Sequence, residues 1–70
     1  MSGGIEKTET LGELELPWAK QASIQEITYE GGMAMLRVRI KEGRRFTDVE
    51  MMPDDAAKLA DLLSCWAKKS

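Results

Sequence analysis

The chain has 70 residues and a mass of 7.8 kDa, which allows one small domain and excludes a multi-domain enzyme. Its formal net charge is −2 at pH 7, and the sequence pI is about 5.0. There is no histidine, the side chain that most often carries protons or binds metals near neutral pH. A catalytic or metal site that depends on histidine is therefore excluded.

The beginning of the chain divides into two parts. Residues 1–10 are small and polar without a hydrophobic period, so we predict a flexible N-terminal segment there and a single α+β domain over residues 11–70. The segment Leu14–Trp18 alternates apolar residues with Glu15 and Pro17. Because proline donates no backbone hydrogen bond, this segment is predicted to be an edge strand or an extended arm.

Two turns containing glycine divide the stretch from Ile24 to Met52 into three alternating segments. At the first, Gly31 and Gly32 predict a primed two-residue turn, since glycine readily takes the positive φ that such turns need. The pairs expected from this turn are Glu30 with Met33, Ile27 with Leu36, and Glu26 with Arg37.

The second turn, Gly43-Arg44, predicts a hairpin with glycine first in a type II′ turn. Its pairs are Glu42 with Arg45, Ile40 with Thr47, Arg39 with Asp48, Val38 with Val49, Arg37 with Glu50, and Leu36 with Met51. The two registers together predict a sheet with one apolar and one charged face. The apolar face collects Ile27, Tyr29, Ala34, Leu36, Val38, Ile40, Val49 and Met51. The charged face collects Glu26, Arg37, Arg39, Asp48 and Glu50, with Ile24, Met35 and Phe46 among them.

A C-terminal helix is predicted from Pro53 to about Lys68. Proline is typical of a first helical position, and Asp54 and Asp55 complement the positive end of the helix dipole. One helix on an antiparallel β-meander of three to four strands gives a two-layer α+β fold. At about 100° per residue, the apolar arc of this helix comprises Ala56, Leu59, Ala60, Leu63, Trp66 and Ala67.

The segment 37–45 is the most basic part of the chain and is a candidate phosphate-binding surface. In the predicted registers Arg37 and Arg39 lie opposite carboxylates, which favours a solvated ladder of cross-strand ion pairs. The cations left unpaired are those of the hairpin tip, Lys41, Arg44 and Arg45. Single-stranded nucleic-acid binding by these three residues is the alternative function.

Cys65 is the only cysteine. It lies near the helix C-terminus, where the dipole disfavours a thiolate, and no histidine is present to act as its base. We predict that it is partly exposed and dispensable. We expect no enzyme activity and no catalytic, metal-binding or cofactor-binding residues, and no small-molecule substrate is evident. A lone thiol favours the cytoplasm, and no apolar stretch is long enough to suggest a membrane span.

The run Leu36–Thr47, with Pro17-Trp18 before it and Pro53 and Trp66-Ala67 after it, resembles a family of short uncharacterised bacterial proteins. This resemblance covers about residues 17–67 and implies a compact strand-strand-strand-helix domain of unknown function. It implies no catalytic or binding residues. The order of strands followed by a proline-initiated helix is also similar, in topology alone, to the transcriptional-coactivator family of single-stranded DNA binders.

The leading hypothesis for function is a non-enzymatic accessory or protein-interaction module. A three-stranded meander leaves two strand edges unpaired, and apolar side chains remain among the charges of its outer face. A protein partner or a weak homodimer would dock there, with the arm at Leu11–Trp18 covering either its own sheet edge or a partner's. The candidate partner-binding residues are Trp18, Ile24, Met35 and Phe46.

Overall fold

The computed structural model describes residues 4–69, which form one antiparallel sheet and one helix. The elements are β1 (Ile5–Leu16), β2 (Lys20–Tyr29), β3 (Ala34–Glu42), β4 (Arg45–Met51) and α1 (Pro53–Lys69). Neighbouring strands in the sheet are consecutive in sequence, in the order β1-β2-β3-β4. The chain is therefore an α+β meander with a C-terminal helix, and this part of the prediction is confirmed.

The structure places Ile5–Thr10 in strand β1, where the sequence predicted a flexible segment. Residues 5–10 pair with β2, and the register shifts between Ile5 and Lys7 and between Thr10 and Gly12. Ladder hydrogen bonds join backbone groups, so a polar segment without a hydrophobic period pairs readily at a sheet edge. The prediction is wrong for residues 5–10, and residues 1–3 lie outside the described part of the chain.

The second predicted hairpin is confirmed in every pair. Glu42 lies opposite Arg45, and the register continues to Leu36 opposite Met51. Gly43 has a φ of 62°, the positive value that a type II′ turn needs at its first central residue. This turn determines which side chains of β3 and β4 share a face.

The first predicted hairpin is wrong by one residue, because its loop contains three residues, Glu30–Gly32. The Tyr29 amide donates to the Met33 carbonyl at 2.8 Å, and the Gly32 amide donates to the Tyr29 carbonyl at 3.0 Å. Gly31 and Gly32 have φ values of 96° and 91°, which suit glycine. The first pair of the ladder is consequently Thr28 with Ala34, where a two-residue loop would have placed Thr28 opposite Met35.

This one-residue difference exchanges the two faces of β2. Ile24 lies opposite Val38, on the face towards the helix, whereas it was predicted on the charged face. Ile27 and Tyr29 were predicted on the helix-facing side and lie on the charged face. Glu26 moves to the helix-facing side, so Arg37 has Gln25 as its neighbour on β2.

The helix begins at Pro53, as predicted. The Met52 amide donates to Asp55 Oδ2 at 3.3 Å, and the Ala56 amide donates to the Met52 carbonyl at 3.0 Å. These bonds satisfy backbone groups in the first turn of the helix. The basic residues of the last turn, Lys68 and Lys69, complement the negative end of the dipole.

The helix covers only part of the sheet. Among residues 4–69, Ala22 and Ile27 are the only buried apolar residues, and of these Ile27 is fully buried. The radius of gyration is 13.9 Å, against about 11 Å expected for a compact chain of this length. The described residues thus form an open two-layer arrangement.

Candidate protein-interaction surface

An apolar cleft of about 460 Å³ lies between the sheet and α1. All four strands and the helix contribute side chains to it. None of its lining residues carries an ionisable group. The lining residues are Leu14, Leu16, Ala22, Ile24, Leu36, Val38, Ile40, Met51, Ala56, Leu59, Ala60 and Leu63.

The walls of this cleft remain largely open to solvent. Leu14 on β1 is 58% exposed, and Leu63 on α1 is 60% exposed. An α-helix is about 10 Å across and strands lie about 4.8 Å apart, so one helix covers about two of four strands. The remaining half of the apolar face therefore lacks a covering layer within residues 4–69.

The helix positions four of the six residues of its predicted apolar arc in the cleft, and the other two, Trp66 and Ala67, are exposed outside it. Ala56, Leu59, Ala60 and Leu63 line the cleft. Trp66 was predicted on the same arc, but it does not line the cleft and is 70% exposed. Leu62, one helical turn before Trp66, is also exposed and outside the cleft lining, at 69%.

The opposite face of the sheet carries the predicted ion-pair ladder. Arg39 binds Asp48 through two bonds, Nε to Oδ1 at 2.8 Å and Nη2 to Oδ2 at 3.0 Å. Arg37 Nη2 donates to Glu50 Oε2 at 2.9 Å. The paired guanidinium lowers the pKa of Asp48, chiefly by hydrogen bonding, and Asp48 raises the pKa of Arg39.

Tyr29 joins this ladder, although the sequence predicted it on the opposite face. Its hydroxyl donates to Glu50 Oε1 at 2.7 Å. That hydrogen bond raises the pKa of Tyr29 and, with the bond from Arg37, lowers the pKa of Glu50. Tyr29, Glu50 and Arg37 thus form one hydrogen-bonded cluster beside the Arg39–Asp48 pair, and each of the two arginines is bound to a carboxylate.

The four candidate partner-binding residues do not form one surface. Trp18 is 86% exposed in the β1–β2 turn, where Lys20 Nζ lies 5.6 Å from its ring centroid. Ile24 lines the apolar cleft. Met35 and Phe46 belong to the charged face by register, and Phe46 stacks 5.4 Å from the Arg39 guanidinium carbon.

The alternative site lies at the sheet end formed by the β1–β2 and β3–β4 turns. Lys20 pairs with Glu42 across β2 and β3, so the two turns are neighbours. Lys41, Arg44 and Arg45 are all exposed there. We refer to this group, with the two exposed aromatic residues Trp18 and Phe46, as the basic end.

Other kinds of site receive no support from the described residues. Cys65 is a free, exposed cysteine, as predicted. The part of the chain that the structure describes holds no group of three potential metal ligands, and none of its helices has the length and apolar character needed to cross a membrane.

The open cleft itself was not predicted. Leu59 and Leu63 were predicted on the apolar arc that packs on the sheet, and Leu14 was predicted in an edge strand or extended arm. The sequence contained one indication of an open cleft, because it predicted a single helix for three to four strands. One amphipathic helix is too narrow to cover a four-stranded sheet.

Comparison with known families gives one match. Residues 5–69 match the model of a family of unknown function, DUF6967. The chain belongs to this family. Searches of curated proteins and of solved structures found no match. The DUF6967 match spans all four strands and the helix, so the apolar cleft and the basic end both lie within the family region.

Proposed function

We propose that this DUF6967 protein is a non-enzymatic protein-interaction module whose binding surface is the apolar cleft. The observation that carries the proposal is the exposure of the cleft walls, which include more than half of the Leu14 and Leu63 side chains. Exposed contiguous apolar surface on a small domain marks a site where another macromolecule packs. The partner expected on this surface presents an amphipathic element.

The chemistry of the cleft supports binding over catalysis. A catalytic pocket combines an apolar wall with convergent polar groups that act on a substrate. The lining here consists of alanine, leucine, isoleucine, valine and methionine side chains. We place the module in the cytoplasm, where the exposed thiol of Cys65 stays reduced.

Site-specific photo-crosslinking in cells tests the proposal. A benzophenone side chain replaces Leu14 in the cleft or, as a control, Phe46 on the opposite face. These residues are equally exposed, at 58% each, so their access to solvent is matched. We expect a discrete protein adduct at position 14 that is absent at position 46. Absence of a protein adduct at position 14, or the same adducts at both positions, would contradict the proposal.

A second candidate function is binding of single-stranded nucleic acid at the basic end. The supporting observation is that neighbouring turns bring Trp18 and Phe46 to the same sheet end as Lys41, Arg44 and Arg45. Aromatic rings stack on bases, and cations follow the phosphate backbone. The net charge of −2 and the neighbouring acidic residues weaken this surface relative to the cleft.

Titration of a labelled oligonucleotide at low ionic strength tests this second function. If it is correct, affinity falls steeply with added salt, and the variant Trp18→Ala weakens binding. The control Leu62→Ala removes an exposed apolar side chain from the helix and leaves the affinity unchanged. No binding at about 50 mM salt would exclude nucleic acid as the ligand.

A further inference from the structure

We infer that the occupant of the apolar cleft is a second copy of this chain, bound with its helix antiparallel to the first in a two-fold symmetric dimer. This inference rests on the proposed function and names the partner. Three properties of the described chain support it: the missing covering layer, the amount of excess surface, and the distribution of charge.

The uncovered half of the sheet is as wide as one more helix. One α1 covers about two of the four strands, and the uncovered half of the sheet needs one more element of the same width. The exposed apolar stripe of α1, which includes Leu62 and Trp66, is turned away from its own cleft. Two copies supply two helices for two half-covered sheets, so a symmetric exchange of contacts covers both.

The excess surface matches the area that a stable dimer buries. The chain exposes 5766 Å², whereas a compact protein of 7.8 kDa exposes about 4,400 Å². The difference is about 1,400 Å² per copy and about 2,800 Å² for two copies, which is the range of obligate homodimers. A chain of 70 residues with two buried apolar residues, Ala22 and Ile27, also buries additional apolar surface when it dimerises.

The charge distribution favours the antiparallel arrangement. Where α1 begins, Glu9 and Glu26 lie directly opposite each other on the helix-facing side, and Asp54 and Asp55 occupy the first helical turn. We call this group the acidic end.

The C-terminal half of α1 lies near the basic end, because Leu63 lines the cleft together with Leu16 and Ile40. The last turn of α1 carries Lys68 and Lys69 and adds positive charge at that end. A two-fold axis across the helices therefore places the acidic end of one copy beside the basic end of the other.

Sedimentation equilibrium of the full-length chain, from about 1 µM to 1 mM, measures the association directly. We expect a species with twice the chain mass of 7.8 kDa. Leu14→Lys and Leu63→Lys, on the two walls of the cleft, should each raise the dissociation constant by at least about tenfold. The control Ser23→Lys lies mid-strand on the charged face, opposite Arg39 and away from both ends, and should leave it unchanged. Added NaCl should also raise the dissociation constant, because the two ends attract each other through exposed charges.

A second measurement uses the unaltered sequence and does not depend on the folding of the lysine variants. Cys65 is exposed and is the only cysteine, so it accepts a donor dye in one sample and an acceptor in another. We expect energy transfer after mixing, and its loss when unlabelled chain is added in excess.

A chain that remains monomeric at about 1 mM, or a Ser23→Lys variant that dissociates as readily as the cleft variants, would overturn the inference. If the protein is monomeric while crosslinks at position 14 in cells capture a different protein, the second-copy inference fails and the proposed interaction function stands. If no crosslink forms at position 14, the interaction function fails as well.

Discussion

Glu50 organises the charged face at the level of single residues. It accepts a hydrogen bond from the Tyr29 hydroxyl at 2.7 Å and another from Arg37 Nη2 at 2.9 Å. Both bonds favour the ionised carboxylate, which is why the pKa of Glu50 is lowered. The ladder therefore depends on the ionisation of Glu50 and of its neighbour Asp48.

The first prediction concerns acid stability. Because the folded-state pKa values of Asp48 and Glu50 are lowered, their contribution to stability is present above about pH 4.5 and is lost as pH falls through the lowered values. Denaturant midpoints measured from pH 7 to pH 2 should fall less steeply for Asp48→Asn and Glu50→Gln than for the unaltered chain. Glu13→Gln, which removes a carboxylate without an ion pair among residues 4–69, should keep the original slope.

Tyr29 gives the opposite pH dependence at the alkaline end. Its pKa is raised by the bond to Glu50, so its contribution to stability is present below about pH 10 and is lost as pH rises through the raised value. We expect Tyr29→Phe to lower the denaturant midpoint at neutral pH and to reduce its decline above pH 10. An ultraviolet titration of the phenol that shows a pKa below the ordinary value would contradict this prediction.

The next prediction compares substitutions at an exposed residue, Cys65, and at a buried residue, Ala22. Cys65 is exposed on α1, whereas Ala22 is buried at the floor of the cleft. Cys65→Ser should change the free energy of unfolding by about 0.5 kcal/mol or less, as exposed substitutions usually do. Ala22→Ser should cost about 1–3 kcal/mol, because it buries a hydroxyl among apolar side chains. A loss well above about 1 kcal/mol for Cys65→Ser in urea unfolding would show that Cys65 is buried in solution, and a loss below about 0.5 kcal/mol for Ala22→Ser would contradict the burial of Ala22.

Among the secondary-structure elements, the β1–β2 turn contains the only non-glycine residues with positive φ in the described chain. Trp18 has a φ of 62° and Ala19 a φ of 59°. A side chain in this region is disfavoured by its Cβ atom, which approaches the backbone carbonyl. Pro17 precedes these residues and ends strand β1, so the turn reverses the chain directly after the sheet edge.

We predict that Ala19→Gly stabilises the protein. Glycine removes the strain at positive φ, and after its larger loss of backbone entropy the gain should be about 0.5 kcal/mol. The control Ala34→Gly, in β3 with ordinary strand geometry, should lower stability by about 0.5–1 kcal/mol. Thermal unfolding of both variants measures the difference. A loss of stability for Ala19→Gly similar to that of Ala34→Gly would contradict the assigned turn geometry.

For the whole molecule, the open cleft links folding to association. A chain that buries little apolar surface alone gains most of its stability when the second copy covers the cleft. The unfolding midpoint should therefore rise with protein concentration, which mass action requires of a folded dimer in equilibrium with unfolded monomers. Thermal melts followed by circular dichroism over a hundredfold range of concentration measure this shift. Leu63→Lys should reduce the shift, and Ser23→Lys, on the charged face away from both ends, should retain it.

Several features of this protein follow from local sequence alone. Glycine at the first position of the Gly43-Arg44 turn determined its type, and the turn determined the register of β3 and β4. Pro53, Asp54 and Asp55 determined where the helix begins. These features are predictable because they depend on φ preferences, the lack of an amide hydrogen in proline, and charges within one turn.

Other features were decided only by the tertiary structure. Gly31 and Gly32 are compatible with either a two-residue or a three-residue loop. The choice between the two loop lengths depends on how β2 packs in the complete sheet. The observed three-residue loop places Ile27 and Tyr29 on the charged face. The pairing of Ile5–Thr10 arose from backbone groups that β2 offered at the sheet edge. The open cleft followed from the widths of a helix and a four-stranded sheet, a relation between elements that local sequence patterns do not carry.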